Sequence, residues 1–163
     1  MIKGLRESDI TGAYSIVQRV IQDLNKQNIN QWDQVYPTLD IIKLDILSDN
    51  AFGYFRDGQL SGFVVLNNEF PVEYNSLTWM EIPENSLVVH RLSISPEFQG
   101  MGIGKKLMIH ALKLARENGY KSIRLDAFTD NPAALRLYES LGFKKIGTVG
   151  LRKGEFNCYE KLV

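Results

Sequence analysis

A single cysteine, Cys158, stands among 163 residues, so the chain can form no internal disulfide and a reducing cytoplasm is the expected setting. Apolar runs are short: none approaches the ~20 residues that a helix needs to cross a bilayer, and no membrane partner is expected. Neither sign of charge is in surplus. The 19 Lys and Arg balance 19 Asp and Glu, leaving no global attraction for nucleic acid, whose binding depends on clustered cations. Residues 1–10 carry Lys3, Arg6, Glu7 and Asp9 and no apolar block, so no signal peptide is read there and the mature chain is expected to start at Met1. No His, Cys and Asp cluster has metal-ligand spacing, which argues against a metal. Repeats, linkers and low-complexity segments are missing too. What is present, 44% hydrophobic and 23% charged residues, is ordinary for one globular domain spanning 1–163.

Hydrophobic spacing supplies the elements. Ile2 to Leu5 is a short apolar start, and Ser8 can cap a helix in which Ile10, Ala13, Ile16, Val17, Val20, Ile21 and Leu24 recur at helical spacing to about Gln27. Thr38 can cap a second helix, with Trp32 and Tyr36 between the two. Asp57-Gly58 joins two strands into a hairpin. The stretch from Asn67 to Ser86 is long for a plain connection and holds Phe70, Tyr74 and Trp79. Leu87 to Ile94 reads as a strand apolar on both faces, ended by Pro96. A helix from about Ile103 to Gly119 follows, with Lys106, His110, Lys113 and Glu117 on its polar stripe. A strand over 121–128, a helix over about 132–141 and two strands around Arg152 to Gly154 complete the chain. Helices and strands in this order predict a mixed α/β sheet and exclude a regular βαβ series.

Between the buried strand and its helix lies Gln99-Gly100-Met101-Gly102-Ile103-Gly104-Lys105. Glycines there let successive backbone N–H groups face one point, and the helix N-terminus adds partial positive charge, an arrangement that suits a phosphate or pyrophosphate. A Walker A loop would need Gly at position 99 and Ser or Thr at 106, where Gln and Lys stand. A dinucleotide fingerprint fails at Lys105 or at Leu107, depending on where it begins. A glycine-rich turn that merely lets helix and strand pack closely is the alternative.

The run Arg91 to Met108, with the core Gln99-x-x-Gly102-x-Gly104, resembles the acyl-CoA-binding motif of the GNAT superfamily of N-acetyltransferases. A second stretch, Asn131 to Phe143 with Tyr138 inside it, resembles a later signature of the same family. The resemblance implies a GNAT acyl-CoA N-acyltransferase fold: a central, mostly antiparallel twisted sheet with a splayed parallel strand pair, flanked by about four helices. It implies an enzyme that moves an acetyl group from acetyl-CoA to a primary amine of a small molecule by direct attack in a ternary complex. An N-terminal protein acetyltransferase like the ribosomal-protein branch, and a non-catalytic CoA-binding sensor, are the alternatives. A homodimer is common in the family.

By the same resemblance, the backbone of Leu92, Ser93 and Ile94 would bond the pantetheine arm, the amides of Gln99, Gly100, Met101, Gly102, Ile103, Gly104 and Lys105 would hold the pyrophosphate, and Asn131 would touch the CoA arm. Tyr138 matches the general acid, and His90 aligns with a proton-relaying histidine. Trp32, Tyr36, Trp79 and Glu81 fall in segments that border the acceptor side. The chemistry wants such parts: a neutral amine, a preorganised N–H donor for the developing oxyanion, and a proton for the departing thiolate. Each residue also has a plainer reading. Asn131-Pro132 is an ordinary helix start. Spacing alone makes Tyr138 a core-edge residue, His90 fits a satisfied core histidine, the aromatics fit packing, and Cys158 reads as a buried thiol.

Overall fold

The computed structural model describes residues 1–163. Seven strands are hydrogen-bonded in the order β1-β2-β3-β4-β5-β7-β6, with β4 and β5 parallel. They are β1 (Ile2–Gly4), β2 (Ala51–Arg56), β3 (Gln59–Asn67), β4 (Ser86–Ile94), β5 (Ser122–Phe128), β6 (Lys144–Leu151) and β7 (Gly154–Leu162). Four α-helices accompany them: α1 (Ile10–Lys26), α2 (Leu39–Leu47), α3 (Ile103–Glu117) and α4 (Pro132–Ser140). No helix is long and apolar enough to cross a membrane. The chain divides into two compact units, Met1–Leu66 with Arg91–His110, and Asn67–His90 with Ala111–Val163, so that β4 and α3 each contribute to both.

In the first unit β1, β2 and β3 form an antiparallel ladder, with Gly53 opposite both Lys3 and Phe63. Asp57 and Gly58 take positive φ at the hairpin, 49° and 79°, as a tight turn between right-twisted strands requires. α1 turns Ala13, Ile16, Val17 and Val20 into a core shared with Ile42 and Ile46 of α2 and Phe63 and Val65 of β3. The helix does not start at Ser8. A 3-10 turn over Glu7–Asp9 precedes it, because the Asp9 carboxylate folds back to accept from the Arg6 N–H at 2.8 Å. Thr38 does cap α2, its Oγ1 accepting from the Ile41 N–H at 3.3 Å. Gly62 lets β3 approach β4 closely: a Cβ there would sit 2.9 Å from the Ser93 carbonyl oxygen. His110, expected on a solvated stripe, is half-buried with its ring 5.2 Å from that of Phe52, because that stripe of α3 meets β2.

In the second unit Ser86, Leu87 and Val88 of β4 pair in parallel with Ser122, Ile123 and Arg124 of β5. β5 pairs antiparallel with β7 along its whole length, and β7 pairs with β6. The long connection after β3 is built from two 3-10 turns, Val72–Ser76 and Pro83–Asn85. Tyr74, Tyr138, Phe143 and Tyr159 are buried here together with Cys158.

Candidate active site

The first unit carries the glycine loop. Gly100 and Gly102 take φ of +78° and +74°, values that L-residues rarely adopt, and both are exposed. The first α3 bond runs from the Lys106 N–H to the Gly102 carbonyl at 3.1 Å. The amides of Ile103, Gly104 and Lys105 therefore lie ahead of any intrahelical acceptor, at the positive end of the helix dipole. That donor set, with the exposed Lys105 ammonium beside it, fits a pyrophosphate. Gln99 Nε2 donates to the Ile94 carbonyl at 3.3 Å, which ties the loop to the end of β4. Lys106 is directed elsewhere, its Nζ 3.4 Å from Tyr54 Oη.

Just before Leu92–Ile94 stands a residue that sequence reasoning did not single out. Arg91 lies within β4 yet has φ +50°, a left-handed conformation that costs a non-glycine residue about 1–3 kcal/mol. Its guanidinium secures the conformation. Nε and Nη2 donate to the two Asp45 oxygens at 2.7 and 2.6 Å, and Nη1 donates to Tyr36 Oη at 2.7 Å. Burial works against the charge on Arg91, but its bonds to Asp45 and Tyr36 outweigh burial and raise its pKa. Tyr36 is thus half-buried and held by a cation, whereas Trp32 is buried in the first unit's core with Val17 and Ile42.

The second unit carries Tyr138, Asn131 and His90. Asn131 caps α4, with Oδ1 accepting from the Ala134 N–H at 3.3 Å. Tyr138 is buried on α4 with its ring 6.1 Å from Phe143 and 6.3 Å from Tyr159. Burial first, then the charge of Asp126, raises its pKa, so the phenol keeps its proton throughout the physiological range. Asp126 itself, on β5, was missed from sequence because its neighbours Leu125, Ala127 and Phe128 read as core. Its Oδ2 accepts from Tyr74 Oη at 2.6 Å. Burial raises the Asp126 pKa despite that bond, which makes the carboxylate more basic than an exposed one. His90 is half-buried, with Nε2 2.8 Å from Asn67 Oδ1 and 3.0 Å from the Glu69 carbonyl. Asn67 Oδ1 also accepts from the Glu69 N–H, so both neighbours of Nε2 are acceptors and Nε2 carries a proton.

Trp79 and Glu81 belong to a buried polar network. Trp79 Nε1 donates to the Tyr74 carbonyl at 2.9 Å, and its ring lies 4.4 Å from the Arg124 guanidinium carbon. Glu160 accepts from the Met80 and Glu81 N–H groups at 2.6 and 3.2 Å and from Ser122 Oγ at 2.7 Å. Arg124 Nη2 donates to the Glu81 carbonyl, while the Glu81 carboxylate takes the Asn85 amide at 3.1 Å. Cys158 is buried, and burial followed by the charge of Asp126 pushes its thiol up to about 12, so it offers no thiolate. No group of three or more His, Cys, Asp or Glu side chains is placed to hold a metal ion.

A mixed sheet whose β4 leads through a glycine loop into the N-terminus of α3 defines a class of α/β protein with an exposed set of backbone donors that fits a phosphate or pyrophosphate. The chain belongs to the acetyltransferase (GNAT) family, whose model matches residues 17–143. It is similar to the N-alpha-acetyltransferase RimI of Mycobacterium tuberculosis, 42% identical over 59 residues that cover 36% of this chain and 35% of that protein. The first curated relatives it matches are longer, and the matched part spans only 28% and 35% of their length. In fold it is similar to a GNAT-family acetyltransferase of Streptococcus agalactiae, with TM-score 0.88 and 22% identity over 100% of this chain and 95% of that one. The PaiA N-acetyltransferase of Thermoplasma acidophilum, solved in complex with coenzyme A, superposes with TM-score 0.75 and 20% identity over 100% of this chain and 98% of that one.

Proposed function

We propose that this chain is a single-domain cytoplasmic enzyme that transfers the acetyl group of acetyl-CoA to a primary amine of a small molecule by direct attack. The observation that carries this reading is the exposed donor loop Gln99–Lys105, with Gly100 and Gly102 at positive φ ahead of α3. Acetyl-CoA, when bound, would supply the acetyl group as a thioester, the amine forming the new C–N bond and the C–S bond then breaking to release the thiolate. The amides of Gln99 to Lys105 hold the pyrophosphate, the backbone of Leu92, Ser93 and Ile94 and the Asn131 side chain hold the arm, and Trp79 and Glu81 border the acceptor. Tyr138 keeps its proton and offers it to the departing sulfur. Its raised pKa makes hydrogen-bond donation a larger part of that role than complete proton release. The amine must lose its own proton. His90, protonated at Nε2, and Asp126, a carboxylate of raised basicity, are the two candidate bases.

A second reading, acetylation of protein N-termini, is favoured by the similarity to RimI. Release of thiol from acetyl-CoA with a panel of amines and an N-terminal peptide decides between the two. In the same assay Tyr138→Phe is expected to lower turnover ~100-fold or more, with the KM for acetyl-CoA changed less than twofold. Unaltered turnover removes Tyr138 from the mechanism. Replacing His90 by Gln should shift the low-pH limb of the rate profile; if Asp126→Asn shifts that limb instead, the base is Asp126.

A further inference from the structure

Arg91 breaks the regularity of β4. Its φ of +50° lies in the left-handed region, which residues other than glycine, asparagine and aspartate seldom enter. A residue there interrupts the alternation of an extended strand, so it decides which way the peptides after it point. The parallel ladder with β5 joins Ser86, Leu87 and Val88, and β4 runs past it through Arg91 to Ile94. Side chains hold the left-handed turn. Asp45, from α2, accepts from Nε and Nη2 of Arg91 at 2.7 and 2.6 Å, and Tyr36 Oη accepts from Nη1 at 2.7 Å. On the other side of the residue, Ser93 Oγ donates to the Arg91 carbonyl at 3.0 Å. The Arg91 and Asp45 side chains are 11% and 8% exposed, so solvent and salt screen their attraction little. Further along, Gln99 Nε2 donates to the Ile94 carbonyl, which makes Arg91, the end of β4 and the donor loop one continuous piece of the first unit.

We propose that Asp45 is a positioning residue for acetyl transfer: by gripping the Arg91 guanidinium it keeps β4 left-handed at residue 91, and so sets the direction in which the backbone of Leu92–Ile94 meets the arm of acetyl-CoA. The proposal rests on the acetyl-transfer reading and adds to it a residue of α2 that acts through Arg91. A glycine at position 91 would adopt the same φ without strain, but it would leave the backbone free to take others. An arginine clamped by two buried oxygens fixes a single conformation instead.

Two double variants of the full chain test this: Arg91→Ala with Asp45→Asn, and Arg91→Gly with Asp45→Asn. Both remove the ion pair, leave no buried charge behind and lose the bond to Tyr36, so they differ only in whether residue 91 tolerates positive φ. Three quantities are compared with wild type: the Kd for free CoA by calorimetry, kcat/KM for acetyl-CoA with the best acceptor of the amine and peptide panel, and the φ of residue 91 from NMR couplings in the ligand-free chain. The alanine double is expected to return residue 91 to negative φ and to weaken CoA binding roughly tenfold, with kcat/KM falling at least as far. The glycine double is expected to keep positive φ and to stay within about threefold of wild type in both constants. A clamp that serves stability alone predicts equal CoA affinity in the two doubles, and that result overturns the proposal. Positive φ retained in the alanine double overturns it as well, because the clamp then holds nothing. Where the alanine double does not fold, Asp45→Asn alone, which keeps one acceptor oxygen for Arg91, is expected to weaken CoA binding about threefold, and unchanged affinity overturns the proposal. A wild type that turns over no acceptor overturns the acetyl-transfer reading and this proposal with it.

Discussion

Two buried arginine–carboxylate pairs, one in each unit, solve the same electrostatic problem in opposite ways. Arg91 and Asp45 meet fork to fork, with two bonds of 2.7 and 2.6 Å, and the pair raises the arginine pKa against the pull of burial. Arg124 and Glu160 are more deeply buried, at 1% and 0% exposure, yet their nearest approach is 3.8 Å. Glu160 spends its oxygens on the Met80 and Glu81 amides and on Ser122, and Arg124 Nε has no hydrogen-bond partner. Burial wins there, and the Arg124 pKa falls despite the opposing charge of Glu160. The first pair is a charge clamp that holds a strained strand residue. The second uses one carboxylate as a hook for the backbone of residues 80 and 81.

The sharpest way to break this comparison is to remove one partner of the clamp. Asp45→Ala leaves a buried guanidinium with only Tyr36 for company and should cost about 3–5 kcal/mol in urea denaturation. A loss below about 1 kcal/mol would show that the clamp is solvated and that the contrast with Arg124 is false. In the second unit both partners can be neutralised together. Arg124→Met with Glu160→Gln keeps the volume but leaves a single carbonyl acceptor where the amides of residues 80 and 81 now use different oxygens, and should cost about 1–3 kcal/mol. The same neutralisation at the clamp, Arg91→Met with Asp45→Asn, should cost more, because it also releases a φ of +50° and the Tyr36 hydroxyl.

How much of this was legible in the sequence depends on how far each cause reaches along the chain. The hairpin at Asp57-Gly58, the cap at Thr38 and the glycine loop before α3 are local, and residues a few positions apart specify them. Arg91 and Asp45 are 46 residues apart, Arg124 and Glu160 are 36 apart, and each looks like an ordinary surface charge until the sheet forms. Trp32 and Tyr36, which spacing alone could not separate, both meet the first unit's core, but only Tyr36 also takes a hydrogen bond from Arg91. Asp126 left a faint signal, a carboxylate in the otherwise apolar run Leu125 to Phe128. Its consequence came from Tyr74, 52 residues earlier.

Asp126 extends the comparison to a buried carboxylate whose hydrogen-bond partner is a neutral phenol, and it makes the smallest but cleanest prediction. Its folded pKa is raised by burial, so the folded chain binds that proton more tightly than the unfolded chain does. Stability therefore falls as pH rises from the ordinary carboxylate value through the raised one, the reverse of a salt-bridged aspartate. Glu97, whose pKa the Ser95 hydroxyl above all holds down, acts in the opposite sense but equally in wild type and in Asp126→Asn, so it cancels in their difference. Urea midpoints measured across that window should show wild type losing stability relative to Asp126→Asn as pH rises, with the two curves parallel below it. A difference that stays flat would mean that Asp126 is ionised at no cost, and its raised basicity could not then serve the amine.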